Sequence, residues 1–226
     1  MQAGYAPAVA AGRPIDLPES LQLPLASGAP WWYWLGGRPS LDFVNTRRER
    51  WRRDVETLVT PADLVAWLSV AGLLARDGAR ADRRRLREAI ALREAIDAAV
   101  AAAVAGAPTP AAALATIDGW LWVAGPRPHL TLGRDGAPRL GEHVGADPLR
   151  AALGALALDA ARLLGDPAER ERLRICAGER CSARFYDRSR PASRRWCSMR
   201  ACGNAAKARR HRTRTTVPSQ LPEVRA

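Results

Sequence analysis

The chain has 226 residues, of which 47% are hydrophobic and 26% charged, with a formal net charge of +12; that is enough for one ordinary core plus a small appendage. No apolar run is long enough to span a bilayer, Met1 to Pro14 lacks the charged start and apolar stretch of a signal peptide, and the four cysteines all lie between positions 176 and 202. These features exclude a membrane-spanning protein and a disulfide-dense secreted scaffold, and the expected location is the cytoplasm.

Residues 1–30 are rich in Ala, Pro and Gly without a sustained period and read as a flexible leader. The predicted body spans 31–170 and opens on Trp31, Trp32 and Trp34. Thr60-Pro61-Ala62-Asp63 is a helix start, with a capping hydroxyl, proline at the first helical position and an acid in the first turn; Gly72 marks the end. Asp82 is placed to cap a long helix carrying Leu86, Ala89, Ile96 and Val100, which Pro108 and Pro110 are expected to stop, and Leu114, Ile117 and Leu121 mark another. Between Pro128 and His143 the pattern changes to that of a hairpin with a Gly133-Arg134-Asp135-Gly136 turn. Asp147-Pro148 restarts a helix with a stripe from Leu149 to Leu164 that closes at Gly165, and Asp166-Pro167 begins a further capped turn.

A change of character follows. From Arg172 to Arg214 there are thirteen arginines and Lys207 against Glu179 and Asp187, whereas the remainder of the chain holds equal numbers of basic and acidic residues. Such asymmetry is the electrostatic footprint of a module that meets a polyanion. In the same stretch stand Cys176-x4-Cys181 and, after fifteen residues, Cys197-x4-Cys202. Two close pairs joined by a segment that folds back bring four thiolates to a tetrahedron with Zn to S distances of about 2.3 Å. An iron–sulfur centre and a set of disulfides or reactive thiols are the competing readings; the flanking sequence favours one structural zinc ion, with no open position for hydrolytic chemistry. Arg184 to Asp187 and Arg195 to Cys197 are expected to pair as a short hairpin between the ligand pairs, and Ser198 to cap a helix that contains Cys202 and runs on through Arg210. The fold class is therefore α+β: a mainly helical N-terminal domain with a short β-hairpin, then a small four-cysteine zinc finger over 171–216 made of a hairpin and a basic helix, and a flexible tail over 217–226.

Candidate nucleic-acid contacts are Arg184, Arg188, Arg190, Arg194 and Arg195 from the hairpin, and Lys207, Arg209, Arg210, His211, Arg212 and Arg214 from the helix, a cationic rod suited to a groove lined with phosphates. Asp42 and Asn45, three apart among apolar neighbours, are candidates for an effector site or for satisfied structural polar groups. Core packing is the expected role of the tryptophans at 31, 32, 34, 67, 120 and 122, and Trp196 is expected to shield the metal. No nucleophile elbow, phosphate loop or metal-binding histidine pair points to an enzyme.

The segments Cys176-x4-Cys181, Phe185-x-Asp187-x-Ser189-Arg190, Arg194-Arg195-Trp196-Cys197-Ser198-Met199 and Cys202-Gly203-Asn204 resemble the C-terminal zinc finger of the CGNR family, and Ser40-Leu41-Asp42-Phe43-Val44-Asn45-Thr46 with Leu64 to Leu68 resembles the accompanying ABATE domain. One departure stands at Ala205, where the family motif carries arginine. The resemblance implies a stress-linked bacterial transcription regulator whose finger binds DNA while the N-terminal domain senses a signal or mediates association, compatible with a homodimer and a small-molecule effector of unknown kind. An RNA-binding or ribosome-associated zinc module and a zinc–thiolate redox switch are the alternatives on the same residues.

Overall fold

The computed structural model describes residues 32–75, 79–125, 127–143 and 147–215. The leader, Trp31 and the tail lie outside the described residues.

Seven α-helices and three two-stranded antiparallel sheets are described. They run α1 (Pro39–Val44), β1 (Arg47–Arg48), β2 (Val55–Glu56), α2 (Pro61–Val70), α3 (Arg83–Ala105), α4 (Ala111–Leu121), β3 (Arg127–Leu132), β4 (Pro138–His143), α5 (Pro148–Gly165), α6 (Pro167–Arg170), β5 (Leu173–Ile175), β6 (Arg184–Tyr186) and α7 (Asn204–Thr215). The sheets are β1-β2, β3-β4 and β5-β6.

Local chemistry explains the helix ends. Thr60 accepts from the Asp63 backbone and Asp63 from the Thr60 backbone, so the start of α2 is a reciprocal capping box. Asp82 and Asp147 cap α3 and α5 by accepting from Arg85 and Arg150. The prolines at 108 and 110 do not stop α3: Gly106 does, in the left-handed conformation at φ 65° that a side chain disfavours. Pro110 instead precedes α4 at its N-cap.

Around α3 and α5 the apolar stripes of α1, α2 and α4 close one core, with Leu41, Phe43, Trp67, Leu92, Ile96 and Leu153 fully buried. Trp34 stacks on Trp67 with ring centres 5.5 Å apart, and Trp32 is buried. Trp122 departs from expectation: it follows the last turn of α4 and is 71% exposed. The β3-β4 hairpin pairs Leu130 with Leu140 and Leu132 with Pro138. It shows Leu130, Leu132 and Leu140 to solvent, at 68%, 79% and 75% exposure.

Leu173 of β5 belongs to the main core, and Tyr186 of β6 packs against it. The register opposes Leu173 to Tyr186 and Arg174 to Phe185, so the period-two alternation of the hairpin turns Leu173, Arg184 and Tyr186 toward the body and Phe185 toward the cysteines. The finger is thereby built onto the body rather than strung beside it.

Candidate metal centre and nucleic-acid interface

The ligand atoms of Cys176, Cys181, Cys197 and Cys202 all lie within 4.8 Å of one another. The Cys181–Cys197 and Cys197–Cys202 sulfurs are 3.7 and 3.8 Å apart. Four sulfurs at about 2.3 Å from one ion have tetrahedral edges of about 3.8 Å, which these two separations match, so the set suits a zinc ion. Cys176 Sγ also accepts the backbone N–H groups of Gly178 and Cys197, each at 3.4 Å, the kind of outer contact that orients a thiolate and spreads its charge.

Packed so closely, the thiols titrate against one another. Hydrogen bonds from Cys181 and the other two push Cys176 well below the ordinary thiol range, and those from Cys176 hold Cys197 far above it. Cys181 is likewise lowered and Cys202 raised. A divalent cation resolves this conflict, since it lets all four sulfurs carry negative charge together.

The finger's small core is Cys176, Ala183, Phe185 and Cys197, with Leu35 and Trp196 packed against it. Trp196 packs against the cluster that holds the cysteines, and the Arg195 guanidinium sits 5.4 Å from its ring centre.

The hairpin expected between the ligand pairs is not the one that forms. β6 pairs with β5, and the segment 195–197 carries no strand. The reason is that both edges of β6 are taken. On one edge Cys176 N–H donates to Ala183 and Asp187 N–H to Arg172; on the other, Tyr186 N–H donates to Gly36 C=O at 2.8 Å. Asn45 completes that second edge with its side chain, accepting from Arg184 N–H at 2.8 Å and donating to Arg184 C=O at 2.9 Å. Residues 187–194 form instead a loop closed by the Asp187 carboxylate, which accepts from Ser189 N–H at 2.9 Å and Arg194 N–H at 2.7 Å. Arg172 donates to the Asp187 and Ser189 carbonyls, and Arg174 to that of Ala192.

Asp42 and Asn45 thus both engage backbone groups. Asp42 is 2% exposed and accepts from Gly36 N–H at 2.7 Å. Burial lifts its carboxyl to about 7, against the lowering effect of the Gly36 and Leu35 amides. Neither residue lines the clefts of about 470 and 390 Å³ at the start of α3 and beside Arg38.

Arg184 requires a correction. It is 5% exposed, and its Nε lies 2.6 Å from the Asp97 carboxylate of α3. Asp97 is shared with Arg50 at 3.1 Å, and Arg50 also holds Glu94 at 2.6 Å. Arg184 is a cross-brace between finger and body, out of reach of a phosphate.

Arg188, Arg190, Arg194 and Arg195 are exposed, although Arg188 donates to Gly37 C=O at 2.6 Å and Arg194 to Cys197 C=O at 2.8 Å. Around Cys202 the backbone makes one π-helical turn, Met199–Gly203, and Ser198 C=O accepts from both Cys202 and Gly203 at 3.0 Å. It then continues as α7, where Lys207, Arg209, Arg210, His211 and Arg212 are all exposed and Arg209 pairs with Glu179. Arg214 falls in the last turn of α7, but its side chain is outside the described set.

An arginine-rich segment that the sequence pattern did not single out lies on the β1-β2 turn, Arg47-Arg48-Glu49-Arg50-Trp51-Arg52-Arg53-Asp54, where Trp51 is 52% exposed. Its signal was a tryptophan inside an arginine run, masked by the overall charge balance of the body.

Residues 37–167 match the family model ABATE, described as "Putative stress-induced transcription regulator". The chain belongs to the ABATE family. Residues 172–215 match the model of the CGNR zinc finger, so the four cysteines are the metal site of that finger and hold one structural zinc ion. Neither model is that of an enzyme family, and no curated protein matches the chain. Among the described residues no helix is long and apolar enough to cross a membrane.

Proposed function

We propose that this ABATE protein is a cytoplasmic, zinc-dependent DNA-binding transcription regulator. The observation that carries this reading is α7, a twelve-residue helix with Lys207, Arg209, Arg210, His211 and Arg212 exposed, growing directly out of a ligand turn that the metal would make rigid. A helix so anchored offers cations at fixed spacing to a groove, and the exposed Arg188, Arg190, Arg194 and Arg195 extend the positive surface onto the loop before it. Arginine at these positions forms forked hydrogen bonds with phosphates and with guanine edges. In this reading Arg209 and Arg210, four and five residues further along the chain, supply the cation that Ala205 lacks.

Binding of the zinc-loaded protein to duplex DNA, titrated over salt and chelator, tests the reading. The expected result is affinity that falls with salt by about 0.9 log units per decade for each phosphate neutralised and disappears with the metal. Tighter binding to structured RNA than to duplex favours the ribonucleic alternative, and zinc release by low doses of peroxide favours the redox switch.

The N-terminal domain's part in this reading is association with a second copy of the chain. Supporting it, the register places Pro128, Leu130, Leu132, Pro138 and Leu140 on one face of the β3-β4 hairpin, and all three leucines are more than two-thirds exposed. Burying such side chains contributes about 1.5–3 kcal/mol each. Six leucines in a symmetric pair are therefore comparable with the roughly 4–15 kcal/mol of freedom lost on association, which fits a weak dimer.

A further inference from the structure

The β1-β2 turn has a composition that its neighbours do not require. Between Arg47 and Asp54 it carries five arginines and Trp51 against Glu49 and Asp54. Much of that charge is internal. Arg47 is held by Asp54 at 2.7 Å and by Glu94 at 3.0 Å, Arg50 by Glu94 and Asp97, and Arg53 by Glu49. Arg48 is buried over the Tyr33 ring, 3.7 Å from its centre. What faces outward is Trp51, at 52% exposure, with Arg52 and Arg53, whose side chains are 46% and 39% exposed. Arg52 comes no closer than 4.0 Å to the Glu49 carboxylate, which Arg53 already occupies.

The turn is also stiff and fixed relative to the finger. Glu49 and Asp54 both adopt positive φ, at 48° and 52°, and Glu49 C=O accepts from Arg52 and Asp54. Trp51 lies 5.8 Å from the guanidinium of Arg184, and Arg184 and Arg50 share Asp97. On the other side of the turn Arg48 donates to Tyr33, two residues before the Leu35 that packs on the cysteine cluster. Two cationic features therefore belong to the finger's surroundings: α7 follows the ligand turn at Cys202, and the β1-β2 turn touches β6 through Arg184.

We infer that the β1-β2 turn is a second DNA-contacting element, with Arg52 and Arg53 on the phosphates and Trp51 against a sugar or base face of the duplex that α7 engages. The inference rests on the DNA-binding reading and deepens it, because it makes the ABATE domain a direct part of the interface. A flat aromatic ring between guanidiniums suits a nucleic acid, which offers a stacking face and anionic oxygens side by side. An anionic lipid surface attracts the same residue types. Continuity with the finger favours DNA, since the turn is braced to the strand that carries the metal knot.

The test uses the full zinc-loaded chain, a mixed-sequence DNA duplex, and the variants Trp51→Ala, Arg52→Ser/Arg53→Ser and Arg52→Lys/Arg53→Lys, with zinc content checked for each. The double serine variant should reduce the salt slope by about 1 to 2, and the lysine pair should restore it. Trp51→Ala should weaken binding about tenfold and leave the slope unchanged. An unmodified chain that binds duplex while all three variants match it in affinity and slope overturns this inference and leaves the DNA-binding reading standing. A wild-type chain with no duplex affinity removes both. Trp51-dependent binding to vesicles containing phosphatidylserine, with duplex binding unaltered, also overturns it.

Discussion

Asn45 grips both backbone polar groups of Arg184, accepting its N–H at 2.8 Å and donating to its carbonyl at 2.9 Å. One side chain at the end of α1 thus plays the part of a neighbouring strand for β6 and ties the ABATE domain to the zinc finger. Replacing it with alanine strands two buried groups that water cannot reach. The cost expected is about 2–6 kcal/mol, from roughly 1–3 kcal/mol for each of the two unsatisfied groups, and chemical denaturation of Asn45→Ala beside the parent measures it. An unchanged midpoint would show that β6 does not need this edge.

Arg184 and Arg210 separate structure from recognition. Arg184→Ala removes a buried partner of Asp97 and should cost about 3 kcal/mol of stability, while the salt slope of duplex binding, measured where the variant is folded, stays as it was. Arg210→Ala should do the reverse, lowering the slope by about 0.9 with little change in melting. A slope that drops for Arg184→Ala would place that guanidinium at the interface after all.

Chelation acts beyond the finger. Without an ion the four thiols compete for protons in a space too small for four negative charges, so the ligand turns should open and α7 lose its anchor. Because β6 is also an edge partner of Gly36 and Asn45, the body should lose stability too. Circular dichroism and tryptophan fluorescence followed against chelator should show helix loss together with a change around Trp34 and Trp67. A fluorescence signal blind to metal would mean that the two parts are uncoupled.

Asp42 gives the pH dependence a sign. Its carboxyl is lifted by burial from 3.8 to about 7, so between those values the folded chain binds a proton that the unfolded chain does not. Stability from this group is greatest at the acid end and declines as pH rises toward 7. Glu94 runs the opposite way. Although burial raises it, the hydrogen bond and charge of Arg50, with Arg93, hold it at about 2, so its contribution is present above about 4.5 and is lost as pH falls. Asp42→Asn should therefore gain stability relative to the parent as pH rises from 4 to 7, and denaturation midpoints across that range should diverge. Parallel curves would contradict the buried-acid assignment.

The hairpin leucines are testable by size. Leu130→Asp/Leu140→Asp should leave the core intact, since both side chains face solvent, and should reduce any concentration-dependent dimer seen in sedimentation. A parent chain that remains monomeric at high concentration would dispose of the hairpin's associative role.

Much of the body was legible because its helix signals are local: Thr60-Pro61, Asp82, Asp147-Pro148 and Asp166-Pro167 each mark an end with a side chain that satisfies a nearby amide. The cysteine cluster was legible from spacing alone. The finger's strand pairing was not, because it depends on residues 139 positions apart: nothing local says that Asn45 will occupy the edge of Arg184. Arg184 misled for the same reason. Charge counting treats every arginine as surface, yet alternation along β6 sets Arg184 on the same side as Tyr186 and turns it inward onto Asp97. Arg172 and Arg174 are likewise consumed in closing the 187–194 loop. In the opposite sense, the β1-β2 turn escaped notice because its arginines are balanced by acids from α3, a cancellation in the total that does not hold at the tip.

Borrowed edges also mean that the gap between the two family regions, residues 168–171, is no natural seam. A finger excised there would carry β6 with one flank stripped of Gly36 and Asn45, a bare row of amides and carbonyls seeking any extended partner. Such a fragment should stick to itself even when fully metallated, and its behaviour would report on the wound rather than on the module.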